Sequence, residues 1–487
     1  MMIFTTYDEF IRNGNINGAI EYLQHALKNG VPTGKAEIYE RLGYCGYLTC
    51  NMGLAADSYL KAAQNDTNLR RQLGHFSNFL FCIHYLPGIS PTDLRDNIKY
   101  YNVFFQGTEN YSHSNEKAWK NRRLRIGYIS GDWCSHAMAD FLSPFIGTYN
   151  EDSFQVFAYM LNDKDKTTEA LMEIGNRVVW RDIHNISPLE GADVIYQDKI
   201  DILVDLCGHS NGGESLMIMA HKPAPVQASG LGWINTTGLG AIDYFITDRV
   251  CCDVTKEAAL FSEVPLVIDG PQLCYAPVNK ARFDFIAAPK RRYSKRDGEI
   301  VYGVFSNFNK ITDEMLRAWD EILSNVTHGR LVLKDTTAEA ARQEAIVNRI
   351  KKLSNWHHII VEGASKDYLA CYGDVDIVLD TYPYTGGATV CEALYLGRPV
   401  IAIKGDNHGR RLSSSILEYS GFADFIAVDK AEYIKKAVAM ATDKEYLKHL
   451  HQEIPNKFMQ SPIMDQQGYM RKIEQKYQEI KKLPVGS

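Results

Sequence analysis

The stretch VDIVLDTYPYTGGATVCEALYLGRPVIAIKGD, residues 375–406, reads as a strand, a turn, a helix and a second strand. Its first apolar run ends at Asp380, the aromatic turn Tyr382-Pro383-Tyr384 follows, and Gly386, Gly387, Ala388 and Thr389 open the helix before the run PVIAI. A buried strand feeding a glycine-opened helix predicts a phosphate cradle. Glycine admits close approach, the first helical turn offers unpaired N–H groups, and the helix dipole favours an anion. Glu392, one turn further on, is placed to accept hydrogen bonds from ribose hydroxyls.

Outward from this unit the same texture repeats. Upstream lie IVYGVFS, RLVLKD and HHIIVEG, and downstream DFIAVD, each separated by helical spacing. A second set begins at residue 122 with RLRIGYIS and continues through FQVFAYML, RVVWRDI, IDILVDL, VQASGLG, DYFITD and VPLVID. Strands alternating with helices predict parallel sheets covered on both faces. The fold class is therefore α/β, two doubly wound Rossmann-like lobes facing a cleft, split by the polar stretch APKRRYSKRDGE (288–299). Ligands in such sheets sit at the carboxyl ends of the strands, which is where chemistry is sought.

Before residue 120 the periodicity is helical. Ala19, Leu23 and Ala26 recur as Ala56, Leu60 and Ala63, small residues placed where paired helices cross, a pattern that resembles the tetratricopeptide repeat. Two visible units are too few for a free solenoid, so they must lean on the rest of the chain. They are a candidate site for a protein partner. At the other end, Tyr469, Met470, Ile473, Tyr477 and Ile480 line one face of a closing helix. The expected domains are 1–120, helical and tetratricopeptide-like; 121–290, the first α/β lobe; and 291–487, the second α/β lobe with the closing helix.

Composition narrows the function. The chain has 487 residues, 45% of them hydrophobic, enough for two or three well-buried domains. With 53 basic and 59 acidic residues and no basic stripe interleaved with aromatics, a nucleic-acid partner is not expected. The start MMIFTTYDEF has neither basic n-region nor apolar h-region, and no run is long enough for a membrane span, so a cytoplasmic protein is expected. The ten cysteines form no CxxC pair or zinc spacing and read as buried thiols.

Further candidates lie in strand-to-helix turns. In FSNFNKI (305–311), Lys310 is in reach of a diphosphate, neutralising charge as a leaving nucleotide departs, and Asn307 is a donor to a phosphate or sugar oxygen. His136 and His209 close two first-lobe strands, as candidates for proton transfer or sugar binding. Asp374-Val375-Asp376 looks like a metal-binding DxD, but no second carboxylate or histidine follows at ligand spacing, so no metal is expected. Without one, the diphosphate falls to Lys310, helix N–H groups and Arg410 or Arg411.

RLRIGYISGDWCSHAMADFL, DILVDLCGHS, KPAPVQASGLGWINTTG, FSNFNKI, DTYPYTGGATVCEAL and GDNHGRRLSSSIL together resemble the O-linked N-acetylglucosamine transferase and SPINDLY family, family 41 of the glycosyltransferases, in a bacterial-type form with a short repeat region. The resemblance covers about residues 70–480. It implies a GT-B fold and inverting transfer from a nucleotide sugar to Ser or Thr of a protein, most simply N-acetylglucosamine from its UDP donor. It implies that His136 matches the first-lobe active-site histidine, Lys310 the diphosphate-stabilising lysine, Thr389 a phosphate-binding threonine and Glu392 the ribose-binding acid. Asn307 stands where many members have Asn or Gln. Gly387 and Ala388 replace a His-Thr of the animal pattern, Tyr368 replaces a histidine beside the base, and Lys366 matches the base-side lysine with one residue of slippage.

Members use UDP-N-acetylglucosamine, UDP-glucose or GDP-fucose, and some relatives modify Asn. Two other classes compete: a nucleotide-sugar epimerase, which needs no protein acceptor, and a non-catalytic protein-binding module. The general base stays open among His136, His209 and the donor's own phosphate, with Asp201 or Asp205 acting through water.

Overall fold

Among the described residues, thirteen strands form two separate, wholly parallel sheets. In the computed structural model, which describes residues 2–30, 34–113, 122–280, 282–283, 295–296, 298–337, 340–365 and 367–480, every strand expected from the sequence is present. The first sheet contains β1 (Leu124–Ser130), β2 (Phe154–Met160), β3 (Val179–Asp182), β4 (Ile202–Asp205), β5 (Val226–Ser229), β6 (Tyr244–Asp248) and β7 (Val264–Ile268), in the order 3-2-1-4-5-6-7. The second contains β8 (Ile300–Ser306), β9 (Gly329–Asp335), β10 (Ile359–Glu362), β11 (Ile377–Leu379), β12 (Val400–Ile403) and β13 (Ile426–Ala427), in the order 10-9-8-11-12-13.

Both orders reverse direction beside their first strand. That switch point lies between β1 and β4 in one sheet and between β8 and β11 in the other. Central strands there are buried on both faces: all seven residues of β8 and all four of β4 are buried, as the unbroken apolar runs require. The turns leaving these four strands carry His136, His209, Lys310 and the 386–389 segment.

The chain divides into two compact units that do not follow sequence order. One joins residues 1–89 to 282–405 and 424–456, so the repeat helices belong with the second sheet. The other joins 90–281 to 406–423 and 457–487, so the closing helix belongs with the first sheet. The polar boundary at 288–299 lies mostly outside the described residues.

In the first of these units, helices Met2–Arg12, Ile16–Lys28, Lys35–Leu48, Met52–Asn65 and Leu69–Ile83 follow one another. Asn15, Asn51 and Asn68 cap the second, fourth and fifth by accepting a backbone N–H, which punctuates the hairpins. Of the six residues in the repeat pattern, Ala19, Leu23, Ala56 and Ala63 are buried, whereas Ala26 and Leu60 are half-buried. Where Lys35–Leu48 crosses Met52–Asn65, a Cβ on Gly46 would stand 2.6 Å from the Ala55 nitrogen, so only glycine allows the approach.

In the other unit, Tyr469, Met470, Ile473, Tyr477 and Ile480 of helix Gln466–Ile480 are all buried in the core of the first sheet. The Tyr477 hydroxyl lies 3.3 Å from that of Tyr128 on β1, and the Tyr469 ring meets Phe145 edge-on at 5.7 Å. Glu474 accepts the Asn150 N–H at 2.6 Å. No helix among the described residues is long and apolar enough to cross a membrane.

Ile473 is 1% exposed, so Ile473→Ala should destabilise this unit by about 2–5 kcal/mol through lost burial and the cavity left. Urea unfolding followed by tryptophan fluorescence measures it; a loss under 1 kcal/mol would show that the helix does not seal the core.

Candidate functional site

β8 ends in Ser306, and Asn307 caps the short turn Phe308–Lys310 by accepting the Asn309 N–H at 3.0 Å. The Asn307 amide is engaged at both ends: Nδ2 donates to the Tyr47 hydroxyl at 3.1 Å, and Oδ1 accepts from Arg342 Nη1 at 3.0 Å. Lys310 leaves the same turn. Its Nζ donates to the Thr385 carbonyl at 3.2 Å and stands 4.3 Å from the centroid of the Tyr384 ring. Burial holds its ammonium down at about 8, against the opposing pull of Asp380.

The turn after β11 is folded onto itself. The Asp380 carboxylate accepts the Gly386 N–H at 2.9 and 3.2 Å, Thr381 donates to the Tyr384 carbonyl at 2.8 Å, and the Tyr382-Pro383 bond is cis. The two glycines differ. A Cβ at Gly386 would lie 2.8 Å from Asp380 Oδ1 and 2.9 Å from Val390, whereas one at Gly387 would meet nothing within 4 Å. Gly386 is needed to close the turn, and Gly387 faces open space. Helix Ala388–Tyr395 starts there with no side-chain cap, and Gly387, Ala388 and Thr389 are partly exposed. Lys310 thus stands beside an uncapped helix start, a cation and a ring of N–H donors suited to one anion.

Glu392, 2% exposed on that helix, accepts from the Tyr368 hydroxyl at Oε1 and from the Tyr372 hydroxyl at 3.4 Å, with Arg282 3.6 Å away. Tyr372 also donates to the Thr389 carbonyl at 3.1 Å and stacks on Phe305 at 3.8 Å. The structure therefore brings Asn307, Lys310, Tyr368, Gly386, Gly387, Ala388, Thr389 and Glu392 into one unit around the β8/β11 switch point. Lys366 lies outside the described residues.

The remaining candidates are in the other unit. The His136 side chain is 48% exposed, with Nδ1 3.3 Å from Asp132 Oδ1. Asp132 is buried, its other oxygen has no partner among the described residues, and burial pushes its pKa up while His136 pulls it down. His209 is 1% exposed, its Nε2 is 2.8 Å from the Thr237 carbonyl, and its ring packs against Tyr101 and Trp233. Asp205 is consumed by Ser215, Ser229 and Gly208, and Asp201 by a two-pronged pair with Arg122 at 2.6 and 2.7 Å. The Arg411 guanidinium is likewise held by Glu257 at 2.6 and 2.8 Å.

Asp376 of the DxD-like triplet accepts from Lys295 at 2.6 Å and from the Val301 N–H at 2.8 Å, the pattern of a structural carboxylate. Among the described residues no group of three or more His, Cys, Asp or Glu is arranged to hold a metal. Sequence reading missed Arg342, Tyr47, Tyr85 and Arg282. The first sits among ordinary helical polar residues and the next two in the repeats, where nothing local marks them as partners of residues about 260 to 300 positions away.

Comparison with known proteins agrees with this layout. The family described as Glycosyl transferase family 41 matches residues 97–267 and 273–473. The probable UDP-N-acetylglucosamine–peptide N-acetylglucosaminyltransferase SPINDLY of Solanum lycopersicum is 31% identical over 381 residues, 74% of this chain and 40% of that protein. The probable transferase SEC of Arabidopsis thaliana is 27% identical over 361 residues, 73% of this chain and 37% of its own length. The chain thus spans about 40% of the length of the curated relatives it matches. A mutant Thermobaculum terrenum O-GlcNAc transferase is similar in fold, with a TM-score of 0.76 at 24% identity, covering 98% of this chain and 96% of that one. With the GT-B arrangement of two parallel sheets in place and the family match running through both, this chain belongs to glycosyltransferase family 41.

Proposed function

We propose that this protein is an inverting, metal-independent protein O-glycosyltransferase that moves N-acetylglucosamine from UDP-N-acetylglucosamine to Ser or Thr of an acceptor protein, in the cytoplasm. The observation that carries the reading is Lys310, a part-buried ammonium lying over Tyr384 beside the uncapped start of helix Ala388–Tyr395. A diphosphate bound there is met by a cation and by backbone N–H groups at once, and both interactions strengthen as the sugar–phosphate bond breaks and charge gathers on the leaving nucleotide. In that role Lys310 supplies the positive charge that a metal supplies elsewhere.

In this mechanism the acceptor hydroxyl attacks the anomeric carbon from the face opposite the departing diphosphate, inverting the configuration in one displacement. Thr389 and the Gly387 and Ala388 N–H groups hold the phosphates, and Glu392 takes the ribose hydroxyls. Of the two first-lobe histidines, His136 is the better base, because its ring is half exposed with a carboxylate at its Nδ1, whereas His209 is buried against a carbonyl and two aromatic rings. The SPINDLY and SEC names of the relatives support the donor and acceptor classes.

Purified protein incubated in EDTA with UDP-N-acetylglucosamine, UDP-glucose or GDP-fucose, with and without acceptor proteins, should release nucleotide only with acceptor and chiefly from the first donor. Lys310→Ala should lower that rate about 100- to 1000-fold, the usual loss for one transition-state donor. Release without acceptor would indicate epimerase or hydrolase chemistry, and no release from any donor would sink the transferase reading.

Lys310 also predicts a pH dependence. Its ammonium titrates near 8 in the free protein, and an anion binds the protonated form, raising that pKa. UDP affinity should therefore be full below about pH 7 and fall as pH rises through 8. Titration calorimetry with UDP from pH 6.5 to 9.5 reads this, and a fall that persists unchanged in Lys310→Ala would assign it to another group.

A further inference from the structure

Two of the contacts between the second lobe and the repeat helices each carry a candidate donor-site residue. At the first, Tyr47, one residue before the end of helix Lys35–Leu48, accepts the Asn307 Nδ2–H at 3.1 Å. Arg342 completes the clamp. Its Nη1 donates to Asn307 Oδ1 at 3.0 Å, and its guanidinium carbon lies 5.1 Å from the centroid of the same Tyr47 ring. Arg342 Nε is buried without a hydrogen bond among the described residues and lies 3.8 Å from the buried Asp335 carboxylate, so its fork is oriented by that ion pair together with Asn307 and the Tyr47 ring.

At the second point, Tyr85, just past helix Leu69–Ile83, stacks on Tyr384 with centroids 4.7 Å apart and planes 15° from parallel. Phe81 on that helix adds a tilted contact at 6.1 Å. Tyr384 is the ring over which Lys310 stands. A phenol ring at a turn has several rotamers open to it, and stacking on a buried partner selects one. Tyr85 is 4% exposed and supplies such a partner.

We propose that Tyr47 and Tyr85 are positioning residues for the donor diphosphate: the repeat helices fix Asn307 through Tyr47, and fix Lys310 through the Tyr85–Tyr384 stack. The repeats are then part of the donor site, in addition to any surface they offer an acceptor. This rests on the reading of Lys310 as the donor's cation. It also predicts that the effect is specific: an aromatic ring at position 85 is required and its hydroxyl is not, whereas at position 47 the hydroxyl oxygen is what matters.

UDP binding by titration calorimetry on the full chain, with a melting curve for each variant, tests it. Tyr85→Ala should weaken UDP about five- to ten-fold, and Tyr85→Phe should restore affinity to within about two-fold. Tyr47→Phe, which removes one oxygen and keeps the ring, should weaken UDP about three-fold, the range for one hydrogen bond. Lys310→Ala, run alongside, reports on the underlying reading. Tyr85→Ala and Tyr47→Phe that bind UDP like the parent protein, while Lys310→Ala weakens it, overturn the inference and leave the donor site standing. A parent protein without UDP affinity overturns both. Should Tyr85→Ala not fold, Tyr47→Phe and Tyr85→Leu carry the decision, because each preserves most of the buried volume.

Discussion

A charge taken out of water must be repaid by its surroundings, and the second lobe is arranged around one such charge. Burial works against the Lys310 ammonium, and its neighbours repay it only in part. The Tyr384 ring offers the negative face of its π-system, Thr385 a carbonyl dipole, and the Asp380 carboxylate, itself held by the Gly386 N–H, a charge that opposes the effect of burial without cancelling it. The outcome is a cation with incomplete compensation beside uncapped helix N–H groups. Such a site gains more from a bound anion than a solvated lysine would, because opposite charges attract more strongly where water is partly excluded.

Sheet topology is what makes that arrangement available. Lys310 and Thr385 are 75 residues apart, and they meet because β8 and β11 are neighbours at the point where strand order reverses. The first sheet has the same reversal between β1 and β4, and its two turns carry His136 and His209. Identical topology gave these histidines different environments: one ring stays half exposed beside a buried carboxylate, and the other is locked among Tyr101, Trp233 and a carbonyl. Position at a switch point marks where chemistry is accessible, and local packing decides which side chain remains available for it.

The thirteen strands were legible because a strand buried on both faces must be a continuous apolar run, and Ile300–Ser306 or Ile202–Asp205 has no other reading once helices flank it. The tight turn after β11 was legible for a similar reason: Gly386 cannot carry a side chain against Asp380, so the glycine shows in the sequence. The closing helix was half legible. Its apolar face is plain from Tyr469 to Ile480, but periodicity names a buried face and not the surface that buries it, which proved to be the first sheet. Glu392 was found as an acid of the right spacing, whereas its bond to Tyr368 depends on rotamers that no pattern encodes. Arg342 was invisible because a buried arginine and an exposed one are the same letter on a helix, and only the fold places Asn307 and Tyr47 beside it.

The two repeat units raise a question of stability that the unit boundaries answer. A solenoid gains its stability from neighbouring repeats, and two are short of what a free array needs. Here the last helices are covered by the second lobe instead, with Tyr85 on Tyr384 and Tyr47 against Asn307 and Arg342. The dependence runs both ways. The lobe supplies the apolar surface that a longer array would have supplied, and the repeats supply the ring and the hydroxyl that hold two polar turns in place. The sheet of this lobe, β8 to β13, is backed by the lobe's own helices. Its turns are anchored by buried residues such as Phe308, Ile311 and Thr385, but Asn307 and Tyr384 need partners for their polar or aromatic groups. Rigid turns need support from outside the sheet, and the repeat helices provide part of it, alongside Tyr433, Thr312 and Arg342 of the lobe's own elements.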